Sequence, residues 1–433
     1  MNKLYFISLF CLSLLFASCG KDDIVDDSET SFSFKYTVDN TTGYVKTLQQ
    51  HTQGNGFPIV IMADGYTQSD INSGTYHNAV AKAVNALFAV EPMTSLRSYF
   101  DIYEVQAASA ESGITTEKRN TAFSTYFVSK NDVNINGNDT KIKNYAWYAL
   151  KKNNTLLNNA LVIILVNSDQ YGGVTMLSIS ETTNDSIATG ISIAFVPTGC
   201  KSNNVSYFEK TLQHEAIGHG IGKLADEYMQ EYEAPSQQNI NKYKQYQKLG
   251  AYLNTKYDSS SENIYDLGTL TISNTRYAIC GHDMRPGDIG YLFANDDGYS
   301  YEDLVWTQGG FTYATPTTTP YTGSDNWFYG CYMLEKNFYR PSFFSLMNSI
   351  MREESFMFNA LSRYAIYARV MKVARGSQGN IHNQDLQRSF MQFDTMRGLY
   401  SAAKGAAQSK SKSHLSIQDT LPPLPAPIIT LVD

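Results

Sequence analysis

Thr211 to Tyr228 read TLQHEAIGHGIGKLADEY, and this run sets the terms for the rest of the chain. It holds three side chains able to ligate a metal, His214, His219 and Asp226, with Glu215 beside the first histidine. Leu212, Ala216, Ile217, Ile221 and Leu224 supply an apolar face, as a half-buried helix would. An amphipathic helix with two incidental histidines accounts for those apolar residues. It does not account for the His214–Glu215 pair in a chain with seven histidines.

The spacing is the decisive detail. In the zinc-peptidase motif H-E-x-x-H the histidines are four apart and only about 40° out of line on a helix. The glutamate then takes a proton from the water that the metal activates. Here the histidines are five apart, an offset of roughly 140° on an ideal helix, too far for both imidazoles to reach an ion ~2.0–2.1 Å away. A π-bulge absorbs one extra residue and restores convergence. Gly218 and Gly220 flank His219 and lower the cost of that distortion. We therefore expect a bulged helix that brings His214 and His219 to one ion, with Glu215 as general base.

At these residues the sequence resembles the IgA-peptidase-type zinc metallopeptidases, whose zinc helix is followed by L-x-D-E-Y, matched by Leu224, Asp226, Glu227 and Tyr228. FPIVIMADGYTQSDI (Phe57 to Ile71), the F-x-x-E-P of Phe88 to Pro92 and YRPSFFSLMN (Tyr339 to Asn348) are similar to further landmarks of that family. The chain departs from it in the added residue between Glu215 and His219. That spacing is similar to the H-E-x-x-x-H of a dipeptidyl-peptidase family which still binds zinc. The resemblance implies an α/β (α+β) fold: a metzincin-like domain with a mixed sheet, a zinc helix carrying a one-residue bulge, and a helical C-terminal part. It also implies one Zn2+ per chain.

For the third ligand Asp226 is preferred, because zinc peptidases of this kind bend the chain at a glycine, here Gly222, and return a ligand to the metal. His282, in Cys280-Gly281-His282-Asp283-Met284, is the main rival, and Glu227 a weaker one. Glu227 or Tyr228 is expected to orient a ligand or steady the oxyanion. Met347, with Met351 behind it, is expected to form a methionine turn below the metal.

At 433 residues and 42% hydrophobic content the chain can bury a sizeable core. A net charge of −7 without a basic run argues against nucleic acid as partner. The 31 tyrosines fit either amphipathic surface or a glycan or peptide groove.

Met1 to Ser18 reads as a secretory signal, and Phe16-Ala17-Ser18-Cys19 resembles a lipoprotein box in which Cys19 is lipidated. Lys21-Asp22-Asp23 is similar to the surface-export signal of lipoproteins in the Bacteroides group. We expect residues 1–18 as signal, 19–45 as an acidic tether with at most one strand, 46–400 as the peptidase domain and 401–433 as a polar, proline-rich tail. The expected location is the outer membrane or cell surface, with the membrane engaged through the lipid alone. The expected partner is a peptide or protein substrate.

Strands are expected over Phe57–Ala63, Tyr99–Val105, Leu161–Val166 (the sheet centre) and Gly190–Val196, with a helix over Asn78–Phe88. Gly172-Gly173 before Val174-Thr175-Met176 suggests either an edge strand that a substrate backbone approaches or a glycine bulge. The polar stretch after Tyr228 is expected to be irregular surface. Asn359 is expected to cap a helix bearing Leu361, Ala365, Ile366, Val370 and Val373. Of the five cysteines, Cys280 with Cys331 is the suggested pair.

Two other functions fit the sequence. One is a catalytically dead lipoprotein binding glycan or peptide, its metal site destroyed by the spacing. The other is a zinc hydrolase of a non-peptide amide, sharing the same machinery.

Overall fold

Leu161–Val166, six apolar residues in a row and all buried, lies inside an eight-stranded sheet with parallel neighbours on both sides. A strand covered on both faces reads as a continuous apolar run, and each such side chain contributes roughly 1.5–3 kcal/mol by leaving water. The structure, a computed structural model, describes residues 32–35, 42–130, 133–181, 187–202, 205–231, 235–257, 269–272, 275–278, 304–307, 310–313, 328–340, 345–348, 357–375, 386, 389–390, 393–394 and 424–432. The expected signal, Cys19, His282 with its neighbours and Met351 lie outside the described residues, as does Cys280 of the suggested cysteine pair.

In chain order the sheet takes β1 (Phe32–Lys35), β2 (Thr42–Gln49), β3 (Phe57–Asp64), β4 (Phe100–Gln106), β5 (Leu161–Val166), β6 (Val174–Ser180) and β7 (Ser192–Pro197). A smaller four-stranded sheet holds β8 (Met229–Glu231), β9 (Lys256–Tyr257), β10 (Phe328–Cys331) and β11 (Met333–Arg340), and β12 (Ile428–Val432) returns to the large one. The large sheet runs β1-β2-β4-β3-β5-β7-β6-β12. β4, β3, β5 and β7 are mutually parallel, β6 is antiparallel to β7, and β12 is parallel to β6. The class is mixed α/β, as expected.

Period-two alternation sends one set of side chains to each face. Ile59, Ile61, Leu161, Ile163 and Leu165 face a layer formed by α1 (Thr75–Leu87), the segment carrying His214, and the C-terminal helix 360–375. Val60, Met62, Val162, Ile164 and Val166 face α2 (Asp139–Ala149), which buries Ile142, Tyr145 and Ala146. The turn after β3 closes on Asp64, whose buried carboxylate accepts from Gly65 N, Ser109 Oγ, Thr121 Oγ1, Phe123 N and Thr125 N. Among the described residues no helix is long and apolar enough to cross a membrane.

Three expectations are corrected. Within the stretch 19–45 the one strand allowed for is present at Phe32–Lys35, but a second begins at Thr42 and pairs antiparallel with it, so the sheet starts before the boundary at 46. It ends at Val432, inside the stretch 401–433 read as tail, since Ile428–Val432 is an alternating strand beyond the prolines. The polar stretch after Tyr228 contains α4 (Gln237–Lys248), preceded in chain order by the short α3 (Phe208–Leu212). Ser236 caps α4 and Ile240 and Tyr243, three apart, anchor it, so two apolar residues suffice to fix a helix of lysines and glutamines. The helix α5 (Ala360–Arg375) is capped as expected by Asn359, whose Oδ1 accepts from Ser362 N at 3.0 Å.

Candidate active site

α3 passes without a break into a π-helical segment, Gln213–Ile221, so the distortion covers nine residues, longer than the single bulge expected. Hydrogen bonds from residue i to i−5, as in Gly222 N to Ile217 O at 2.8 Å, set residues five apart one turn above each other. His214 and His219 therefore share a face. Gly218 and Gly220 help for a different reason from the one expected. Neither has positive φ; instead a Cβ on Gly220 would lie 2.6 Å from Leu161 Cδ1, and one on Gly218 2.2 Å from Met347 Sδ. The glycines let the segment sit hard against the central strand and leave a notch that the Met347 thioether fills. Gly222 is right-handed (φ −72) and the left-handed bend falls one residue later, at Lys223 (φ +51), which corrects the expectation for the turn.

Beyond that bend Asp226 returns to the histidines. His214 Nε2 and His219 Nε2 are 3.1 Å apart, and Asp226 Oδ1 is 3.2 Å from each. All three residues are buried. Each imidazole is oriented by a carbonyl that can only accept: His214 Nδ1 donates to Leu346 O at 2.7 Å and His219 Nδ1 to Leu224 O at 2.8 Å. In the neutral tautomers so fixed, both Nε2 atoms present lone pairs toward a carboxylate oxygen. Asp226 has no hydrogen-bond donor on either oxygen among the described residues. Three acceptors pointing at one another in a buried place need a cation or a proton between them. A tetrahedral ion with ligands at ~2.0–2.1 Å holds them about 3.3 Å apart, close to the observed separations, so the residues fit a zinc-like metal.

The electrostatics agree. Burial alone would lower the His219 pKa, but the negative charge of Asp226 beside it outweighs this and raises it to about 9. Burial pushes Asp226 up, and the two imidazoles bring it below the ordinary carboxylate value. The site, left to itself, attracts positive charge.

Glu215 lies on the same segment, fully buried. Thr175 Oγ1 sits 2.7 Å from its Oε2 and 2.8 Å from its own carbonyl, while Oε1 has no partner among the described residues. Burial raises the Glu215 pKa and the neighbouring imidazoles partly offset this. Thr175 is on β6, just past Gly173, where a Cβ would lie 3.1 Å from Glu215 Cγ and 2.9 Å from Thr211 Cγ2. Gly173 thus admits the approach of Glu215, while Gly172 lies against Val133 O, and Thr175 is the partner the sequence did not single out for Glu215.

Glu227 is not in the metal cluster. Its carboxylate is taken up by Asn254 Nδ2, Ser345 Oγ and Asn359 Nδ2 at 2.5–2.9 Å, and its N–H donates to Met347 O at 2.7 Å. It clamps the stretch 345–348 whose Leu346 carbonyl orients His214. Tyr228, two residues beyond Asp226, donates its hydroxyl to Leu424 O, and its pKa is raised well above the phenol value by burial and by the charges of Asp226 and Glu215. Met347 is buried beside Gly218, where the methionine turn was expected. The Cys200 thiol is pushed up to about 11 by burial, which leaves it a poor ligand or nucleophile.

A mixed sheet that delivers two oriented imidazoles, a bare carboxylate and a buried glutamate to one point defines a metallohydrolase. The sequence profile of the IgA peptidase M64 family matches residues 47–264, about half of the chain. The chain belongs to that family of metallopeptidases. No match was found among curated proteins.

Proposed function

We propose that the protein is a zinc-dependent peptidase that hydrolyses peptide bonds of extracellular proteins or peptides, with zinc held by His214, His219 and Asp226. One observation carries the reading: the buried meeting of His214 Nε2, His219 Nε2 and Asp226 Oδ1 at 3.1–3.2 Å with no donor between them. Zinc bound there supplies a Lewis acid that makes water acidic enough to lose a proton near neutral pH. Glu215 Oε1, unpartnered, accepts that proton and later passes it to the leaving amine, while Thr175 holds Oε2 in place. Leu346 O and Leu224 O keep both imidazoles in the tautomer that ligation needs. Burial of the segment excludes bulk water from these groups.

The sequence features at Phe16–Cys19 and Lys21–Asp23 support placement at the outer cell surface through a lipid on Cys19. The rival reading of a metal site destroyed by its spacing has no support in the geometry, because the π-helical segment brings the imidazoles together. The test is a peptide-library digest comparing wild type with Glu215→Gln, alongside metal analysis. The variant should lose roughly 10²–10⁴-fold in rate and keep its zinc. Purified, folded wild type that retains no zinc after exposure to it would sink the proposal.

A further inference from the structure

We propose that the side of β6 turned away from β7, which begins next to Glu215, is a binding site for an extended peptide strand, and that residues 424–432 of the same chain are its resident ligand. This rests on the peptidase reading for what the site serves, though not for the binding itself.

The geometry has two anchors. Ile428–Val432 pairs in parallel with Met176–Ser180, and Glu181 N donates to Val432 O at 2.8 Å. Ile429 and Leu431 turn toward the apolar cluster around Ile179, Ala225 and Tyr243, whereas Ile428 is 44% exposed. At the other end Leu424 is buried against Tyr171 and Cys200, and its carbonyl takes the Tyr228 hydroxyl. The first ladder pair is Ile428 with Met176, one residue past the Thr175 that touches Glu215. Leu424–Pro427 therefore spans from the residue two beyond Asp226 to the strand that supports Glu215. The segment is thus tied to the chain just beyond Asp226 through the Tyr228 hydroxyl.

The sequence suits that position. Pro425 and Pro427 have no N–H to leave unsatisfied and fix φ near −65°, so the approach is extended before it docks. Beyond them IITLV alternates as a strand does. A peptide that adds to a sheet edge gains affinity from its backbone and selectivity from alternate side chains. The ligand class is thus an extended peptide with a large aliphatic residue at the Leu424 position and aliphatic residues at the Ile429 and Leu431 positions. A tethered ligand at an effective concentration of about 1 mM, with an intrinsic Kd of about 0.1 mM, weakens a competing peptide about tenfold.

The experiment uses a fluorescent peptide, LPAPIITLV, titrated against the full chain and against a chain lacking residues 424–433, with hydrogen exchange on the β6 amides. The shortened chain should bind the peptide about tenfold more tightly than the full chain. Its Met176–Ser180 amides should lose protection and regain it with peptide. A second variant, Ser178→Cys/Thr430→Cys, joins two paired residues about 4.8 Å apart, within disulfide reach. Oxidised, it should bind no peptide; reduced, it should match the full chain. Equal binding by shortened and full chains, no binding by either, or equal binding by oxidised and reduced protein would overturn the proposal. A digest of a peptide library by the zinc-loaded chains runs in parallel. No hydrolysis together with the expected peptide binding would count against the peptidase reading alone.

Discussion

At the scale of single residues, the site depends on atoms that have nowhere else to go. Asp226 and the Oε1 of Glu215 are buried and lack donors among the described residues, whereas Glu227, next in sequence, is saturated with hydrogen bonds. Adjacent carboxylates thus take opposite roles. Gly173 is as tightly constrained as any charged group. Gly173→Val would press on Glu215 Cγ and Thr211 Cγ2, and a shift of about 1 Å in the proposed base should lower kcat/KM about 10²-fold with zinc content unchanged. Steady-state kinetics with metal analysis checks it, and a variant with wild-type kcat/KM would show that Glu215 tolerates displacement. His214, Glu215, His219 and Asp226 were legible because their chemistry is local in sequence. Thr175 and the Leu346 carbonyl were not, since a buried threonine and a backbone oxygen carry no pattern of their own.

Elements hold those residues in place. The π-helical segment was foreseeable from the five-residue spacing, but its length and the packing role of its glycines follow from contacts with Leu161 and Met347 that only the fold reveals. The strand after the prolines and the helix after Ser236 are not legible in the sequence, because polar and proline-rich composition masks their short periodic patterns.

Glu227 joins the segment after Asp226 to the 345–348 stretch and to the start of α5. Glu227→Ala would strand Asn254, Ser345 and Asn359, at a cost of about 2–4 kcal/mol, and weaken zinc binding about 10–100-fold through Leu346. Denaturant unfolding and competition with a chelator measure the two effects; unchanged zinc affinity would show that the clamp does not reach His214.

Lys223, at the left-handed bend, donates to Gly190 O and Ser192 Oγ beneath the strands, and burial, with the charge of Arg369, holds its pKa well below 10.5. In the window between that lowered value and 10.5 the unfolded chain holds a proton that the folded chain lacks. Stability therefore rises with pH across it. Wild type should gain stability relative to Lys223→Met between about pH 7 and about pH 10, as thermal unfolding at both values would show. A constant difference would mean that the lysine stays charged in the fold.

For the whole molecule, the two ends of the described chain matter as much as its middle. β1 and β12 occupy opposite edges of the same sheet, and the proposed metal cluster ties the π-helical segment to the turn that leads into the smaller sheet. Stripping zinc with a chelator should lower the unfolding temperature by several degrees, since a metal at a thousand times its Kd stabilises by about 4 kcal/mol. Calorimetry before and after reconstitution measures it, and identical transitions would mean that metal does not hold the fold. The order in which the polypeptide is made adds one more consequence. His214 leaves the ribosome 132 residues ahead of the carbonyl that orients it, on the order of ten seconds at about 5–20 residues per second. Throughout that interval the nascent polypeptide carries a histidine–glutamate pair whose first imidazole is still free to rotate. The proposed metal cluster therefore cannot hold His214 in its observed orientation before Leu346 has been made.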